Sequence, residues 1–340
     1  MIALLKHSAG SGNVALSELP IPEPGSGEVC IRVMACGICG TDIHILMDDS
    51  YPVRPPVILG HELAGVIAKV GEGVTEWAQG ARVVSETYYK TCGTCAYCKT
   101  GRRNLCGERL SIGSGVNGAM AEYVVVPAAN LHAIPAGVGF AEASLTEPLA
   151  CCIQAVFEKA DLSPGDTVIL TGPGPIGLLC LQAALQFDCR CIVVGTPKDE
   201  ERLKLAKSLG AELTLRTDDA DLLEKIAALE GGPLTAFECS GAGAAVELCL
   251  TALRKGGRYV QVGLSAAPVP VDTTRLALRE LTMGGTFAQK TEWWDKSVRL
   301  IKHRKVNLSP IVSHTYPLVD WEKAFANVIA GEGLKHVLLP

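Results

Sequence analysis

The chain reads as an α/β protein in two parts, a β-rich first part followed by a doubly wound part with a parallel sheet. Two observations predict the parts. Up to about residue 148, short β runs, clearest at Ile31–Val33, Val66–Val70, Arg82–Val84 and Tyr123–Val126, are punctuated by Gly and Pro in the manner of an irregular β-barrel. Beyond that point β runs alternate with helical stretches, which argues a parallel sheet. A third observation predicts their number: 340 residues are too many for one ordinary core.

Hydrophobic residues make up 48% and charged residues 20%, which excludes a disordered chain. With a net charge of −5 and no basic cluster long enough for a phosphate backbone, no nucleic-acid partner is expected. No apolar run approaches the roughly 18 to 20 residues of a membrane helix, so no membrane partner is expected either. Met1–Lys6 is a short strand-like run without the charged lead and small-residue cleavage site of a secretory signal, and a cytoplasmic protein is predicted. In that setting the 14 cysteines are expected to bind metal or to be buried rather than to form disulfides.

The first chemically rich stretch follows the β run Val29–Met34. Cys39-Gly40-Thr41-Asp42-Ile43-His44 sets a thiol, a hydroxyl, a carboxylate and an imidazole side by side. A thiolate is a strong zinc ligand, and an imidazole a few residues on can carry a proton away. Gly60-His61-Glu62 comes next, then Gly65, Gly71 and Val74, giving a G-H-E-x-x-G-x(5)-G-x-x-V pattern. Cys92, Cys95, Cys98 and Cys106 then crowd one glycine-containing loop. Four sulfurs so close can wrap a tetrahedral ion with no open position, a closed structural zinc site; iron–sulfur ligation and unliganded thiols are the alternatives. Cys36 and Cys39 also form a C-x-x-C, which in isolation suggests a redox pair.

With these residues the chain resembles the zinc-dependent medium-chain dehydrogenases, most closely their polyol (sorbitol-like) and threonine dehydrogenase branch, over essentially its whole length. The resemblance implies a GroES-like catalytic domain at 1–148 and 288–340, with a structural zinc lobe at about 90–107, and a Rossmann domain at 149–287. It implies a catalytic zinc held by Cys39, His61 and a carboxylate. Glu147, in Thr146-Glu147-Pro148-Leu149, matches the acidic ligand of polyol enzymes; Glu62 lies behind the metal in relatives and can bind it directly. Asp42 is expected to hydrogen-bond the far nitrogen of His61, a role compatible with capping a helix. Cys151 and Cys152, past the Glu-Pro-Leu turn, are read as helix-packing thiols, and His7, His132, His303, His314 and His336 as surface or packing residues.

In the second part, the β run Asp166–Thr171 leads into Gly172-Pro173-Gly174-Pro175-Ile176-Gly177 and then a helical stretch from Leu178. Between a strand and a helix this G-x-G-x-x-G is a dinucleotide fingerprint: the glycines allow a tight turn, and the helix N-terminus faces the pyrophosphate. The next β run, Cys191–Gly195, ends without the acidic residue that grips the ribose hydroxyls of NAD. Thr196 cannot repel a 2′-phosphate, and Lys198 and Arg202 could neutralise one, although Asp199, Glu200 and Glu201 crowd the same loop. The coenzyme is therefore NAD or NADP, with tolerance of NADP expected. Helices are predicted at Glu200–Leu209, Asp221–Leu229 and Gly243–Leu253, and strands near Leu213, at Thr235–Cys239, Arg258–Leu264 and Leu281–Phe287. The resemblance puts Val262, Gly263 and Leu264 at the nicotinamide and Lys335 at the pyrophosphate. Helices are also predicted from Trp293 to near Arg304 and at Trp321–Ile329, with the paired tryptophans Trp293 and Trp294 packing between domains.

The resemblance implies zinc-assisted, reversible oxidation of a secondary alcohol of a polyol or related small molecule, with Thr41 taking the proton and His44 passing it toward solvent. Ile45 and Leu46 stand beside this relay where some polyol enzymes place an aromatic, so a threonine- or butanediol-type enzyme is the alternative. A coenzyme-binding sensor without turnover is the alternative of another class. A homodimer or homotetramer is expected by resemblance only.

Overall fold

The computed structural model describes residues 1–47, 51–265 and 267–340. The chain divides into two compact units: Met1–Glu147 with Lys290–Lys302 and Leu308–Pro340, and Pro148–Gln289 with His303–Asn307.

In the first unit a seven-stranded sheet is built around the strand Glu28–Gly37, which pairs antiparallel with Glu62–Val70, Tyr123–Pro127 and Lys335–Leu339. Side chains of period two, such as the buried Val124 and Val126, face a core that includes Val29, Ile31, Val33, Ile67 and Val83. Register brings distant residues together. Gly37 stands opposite Glu62 on one side and opposite Val337 on the other, so the loop after Gly37 is flanked by two strands far away in sequence. The Ile38 N–H donates to the His336 carbonyl at 2.9 Å, which fixes where that loop leaves the sheet.

The helix Gly40–Met47 follows at once. Its C-terminal end is closed by the neighbouring chain. The buried ammonium of Lys6 donates to the carbonyls of Gly12 (2.9 Å), Ile45 (3.0 Å) and Gly10, and the Gly12 N–H donates to the Leu46 carbonyl. Ile45 is buried in the core and the partly buried Leu46 packs on it.

The helix Thr291–Lys302 buries Trp294, Ser297, Leu300 and Ile301 within the same unit. Trp294 stacks on His132, the rings 5.5 Å apart at 8°, and His132 lies between Glu86 (3.3 Å) and Asp295 (3.2 Å). One face of the Trp294 ring is thus engaged by a residue on the strand Leu131–Ala133 of its own unit.

The second unit is a six-stranded parallel sheet in the order Leu213–Arg216, Arg190–Gly195, Thr167–Thr171, Thr235–Glu238, Arg258–Gln261, Thr282–Gly285. Numbered within the unit this is the 3-2-1-4-5-6 arrangement of the doubly wound fold. Its central strands are buried on both faces and therefore read as continuous apolar runs, as in Val168-Ile169-Leu170. The strand predicted at Arg258–Leu264 stops at Gln261. Both the Val262 and the Gly263 N–H turn to the Glu238 carbonyl (2.9 and 2.8 Å), which takes the chain out of the ladder. The segment His303–Asn307 rejoins this unit, where Gln182 accepts the Asn307 N–H and donates to its carbonyl.

Candidate metal and coenzyme sites

The ligand atoms of Cys39, His61 and Glu62 lie within 4.8 Å of one another. The sheet register makes this inevitable: Cys39 is two residues beyond Gly37 and His61 one residue before Glu62, on paired strand ends. Gly60 permits the approach. Its φ of +89° suits glycine, and a Cβ there would sit 2.6 Å from Met120 Cγ and 2.8 Å from Cys36 Sγ. Thr41 Oγ1 lies 3.6 Å from Cys39 Sγ, on the first turn of the helix that also carries His44.

Asp42 differs from expectation. Its Oδ2 accepts the Cys39 N–H at 2.9 Å, and its Oδ1 is buried without a hydrogen-bond partner. It therefore braces the start of the helix and acts on His61 through charge alone, because the peptide turn at Cys39 reaches its carboxylate first. Glu147 stands outside the Cys39–His61–Glu62 triangle yet is near enough to act on His61 by its charge. Burial works against a charged His61, but the hydrogen bond to Cys39 and the charges of Cys39, Asp42 and Glu147 hold its pKa well above the usual imidazole range.

Lys335, expected at the coenzyme, has its buried ammonium 2.7 Å from Glu62 Oε1 and 3.0 Å from the Ile38 carbonyl. Burial alone would lower its pKa, and the charges of Glu62, Cys39 and Glu147 raise it instead. Sequence reading missed this pair, for which no local spacing is a signal. Glu62 Oε2 remains buried without a partner. One thiol, one imidazole, several carboxylates and two orphaned carboxylate oxygens make a pocket short of positive charge, which a zinc ion fits.

Cys36 is fully buried and its thiol is pushed far up by burial and by the charges of Asp42 and Glu62, so it is a core residue. All 14 cysteines are free thiols. Cys152 is buried and donates to the Ile176 carbonyl, a packing role.

The ligand atoms of Cys92, Cys95, Cys98 and Cys106 also lie within 4.8 Å of one another. Backbone N–H groups converge on the sulfurs: Cys92 N on Cys106 Sγ (3.4 Å), Cys95 N on Cys92 Sγ (3.3 Å) and Cys98 N on Cys95 Sγ (3.4 Å). The N–H groups of Cys95 and Thr94 bring the Cys92 thiol down to about 6. Such donors favour a thiolate at Cys92, whereas burial pushes the Cys98 thiol up to about 11.

In the second unit, Gly172 (φ +82°) turns the chain from the strand Thr167–Thr171 toward the helix Pro175–Ala184, with Pro175 at its first position. A Cβ at Gly177 would lie 2.1 Å from the Gly172 carbonyl, so only glycine allows the turn and helix to touch. A Cβ at Gly174 would meet nothing within 4 Å, and no side chain caps the helix start. Open space before uncapped N–H groups fits a pyrophosphate. At the end of the strand Arg190–Gly195, Asp199 accepts the Thr196 N–H (2.8 Å) and hydroxyl (2.7 Å) and pairs with Arg202 (3.1 Å). Lys198 lies in the same turn.

Two family models match the chain: the alcohol dehydrogenase GroES-like domain over residues 25–136 and the zinc-binding dehydrogenase over 175–303. A sorbitol dehydrogenase of Halalkalibacterium halodurans is 40% identical over 100% of this chain and 99% of its own. An L-threonine 3-dehydrogenase of Bacillus velezensis is 37% identical over 100% and 99%. Among solved structures, a zinc-binding dehydrogenase from Sinorhizobium meliloti bound to NADP superposes with a TM-score of 0.93 at 31% identity, covering 100% of this chain and 99% of that one. The thiol–imidazole–carboxylate pocket, the four-cysteine loop and the glycine turn thus sit in one chain whose whole length aligns with such enzymes, and the chain belongs to the zinc-dependent medium-chain dehydrogenases, in their polyol and threonine branch, which work with zinc and NAD or NADP.

Proposed function

We propose that the protein oxidises, reversibly, a secondary alcohol of a polyol or sugar alcohol to the ketone. The observation that carries this reading is the pocket of Cys39, His61 and Glu62 with Thr41 beside it, in a chain 40% identical to a sorbitol dehydrogenase. When bound, zinc supplies a Lewis acid for the alcohol oxygen and the nicotinamide supplies the hydride acceptor. Cys39 and His61 hold the metal, with Glu147 or Glu62 as the third protein ligand. Thr41 Oγ1 accepts the alcohol proton and His44, one turn along the same helix, carries it toward solvent. Lys335 steadies Glu62. The four-cysteine loop holds a structural zinc away from the reaction. The protein acts as a dimer or tetramer in this reading.

Thr196 in place of an acidic residue, and an Asp199 already engaged by Thr196 and Arg202, support acceptance of NADP as well as NAD. A kcat/KM at least about tenfold higher with NAD than with NADP would remove that part. The threonine relative favours a second reading, oxidation of an amino alcohol.

The test is a panel of polyols, sugar alcohols, threonine and butanediol with each coenzyme, following nicotinamide absorbance for the zinc-loaded chain and for Cys39→Ser. Turnover of a polyol that disappears in the variant supports the proposal. Activity on threonine and on no polyol replaces it with the second reading, and silence throughout, with zinc bound, points to a coenzyme-binding sensor.

A further inference from the structure

The strand Thr235–Glu238 ends in a carboxylate that the reaction does not use. Glu238 is fully buried, and among the described residues its carboxylate is held by N–H and O–H donors. Its Oε1 accepts the Ser240 N–H (2.7 Å), the Ser240 hydroxyl (2.5 Å) and the Gly241 N–H (3.1 Å). Its Oε2 accepts the Gly241 N–H (2.9 Å) and the Gln261 side-chain amide (2.7 Å). Gln261 in turn donates to the Gly263 carbonyl at 2.7 Å and accepts from the Tyr259 hydroxyl.

These bonds join three loops at the carboxyl edge of the sheet. The turn 239–241 and the segment 262–264 touch backbone to backbone: a Cβ at Gly263 would lie 2.4 Å from the Gly241 nitrogen, and one at Gly241 would lie 2.1 Å from the Leu264 carbonyl. The first turn of the glycine motif is the third member, since a Cβ at Gly172 would lie 2.7 Å from Ser240 Cβ. An anion with every strong lone pair engaged by N–H and O–H donors is a fixed post rather than a ligand group.

We infer that Glu238 is a positioning residue for the coenzyme: it holds the 262–264 segment and the phosphate turn in the one spacing that admits a dinucleotide. The inference rests on the reading of this unit as the coenzyme domain, and it adds a residue that touches neither coenzyme nor metal. An amide at this place would set its N–H2 against donors on one side or the other, so the two loops would part.

The experiment measures NADH binding by fluorescence, without substrate, on the zinc-loaded chain, alongside thermal unfolding. E238Q is expected to fold and to raise Kd about tenfold, while kcat at saturating coenzyme changes little. S240A, which removes one hydroxyl donor and leaves the fold, is expected to raise Kd about threefold and decides the matter if E238Q does not fold. The inference is overturned if folded E238Q binds NADH within about twofold of the unaltered chain, or if S240A leaves Kd unmoved where E238Q does not fold. Failure of the unaltered chain to bind either NADH or NADPH would overturn the coenzyme reading and this inference together.

Discussion

Lys335 and Glu62 show how much one side chain governs. Both are almost fully buried and 2.7 Å apart, and Glu62 Oε2 already lacks a partner. Removing one member of such a pair leaves an uncompensated charge, so Lys335→Met is expected to cost about 3 to 5 kcal/mol of stability, read from urea unfolding of the metal-free chain. A loss below about 1 kcal/mol would mean that water reaches Glu62. Individual residues were unevenly legible. Cys39, His61 and the four clustered cysteines announce themselves through residue type and spacing. Lys335 does not, because its partner is 273 positions away and only the antiparallel register joins them. Asp42 was placed beside the correct residues but on the wrong donor: the side chain chose the nearby Cys39 N–H over the ring of His61.

Among the elements, the short helix Gly40–Met47 depends most on its surroundings. At eight residues it is too short to persist alone. The ammonium of Lys6 and the N–H of Gly12 satisfy carbonyls of its last turn. Lys6→Met should therefore destabilise the chain by about 3 kcal/mol and lower kcat through displacement of Thr41 and His44; unchanged urea midpoint and kcat would show that water replaces the ammonium. The four-cysteine loop is the opposite case, since in the proposed reading a zinc ion held by its own four sulfurs orders it. Cys98→Ser is expected to lower zinc content by about half and to lower Tm. Limited proteolysis should then cut within residues 92–106, and a resistant loop would contradict the assignment. The helices at Trp321–Ile329 and Glu200–Ser208 match the sequence expectation to within one residue. The Arg258–Gln261 strand ended early because a backbone carbonyl of the paired strand Thr235–Glu238 captured two N–H groups, which no periodicity records.

For the whole molecule, the two-part division could be read from the change in pattern near residue 148, whereas the return of His303–Asn307 to the second unit rests on Gln182, bonded to the Asn307 backbone, and Gln186, bonded to the Lys305 carbonyl. Stability against acid involves a residue outside the reacting set. His336 is buried, its Nε2 on the Glu332 carbonyl at 2.7 Å and its Nδ1 without a partner. Burial above all, with His314 and Lys335 nearby, lowers its pKa. The folded chain thus binds fewer protons here than the unfolded one. The stabilising contribution is complete above the unfolded pKa of about 6.5 and is lost as pH falls toward the folded value. Tm should fall between about pH 7 and pH 5, and less steeply in His336→Gln; parallel curves would exclude this residue as the source. No helix among the described residues is long and apolar enough to cross a membrane.

The strand that carries Lys335 and His336 also has a bearing on how the chain matures. The four-sulfur loop closes on itself within a single short segment and can take up its ion as soon as that segment leaves the ribosome. The other pocket has no such independence, for its floor is shared between residues 38, 62 and 335. Until translation reaches that strand, Glu62 has no counter-charge and the loop before Cys39 has no anchor. A nascent chain would therefore carry one finished metal centre and one unfinished one, and reactivity toward alcohols would emerge late and all at once.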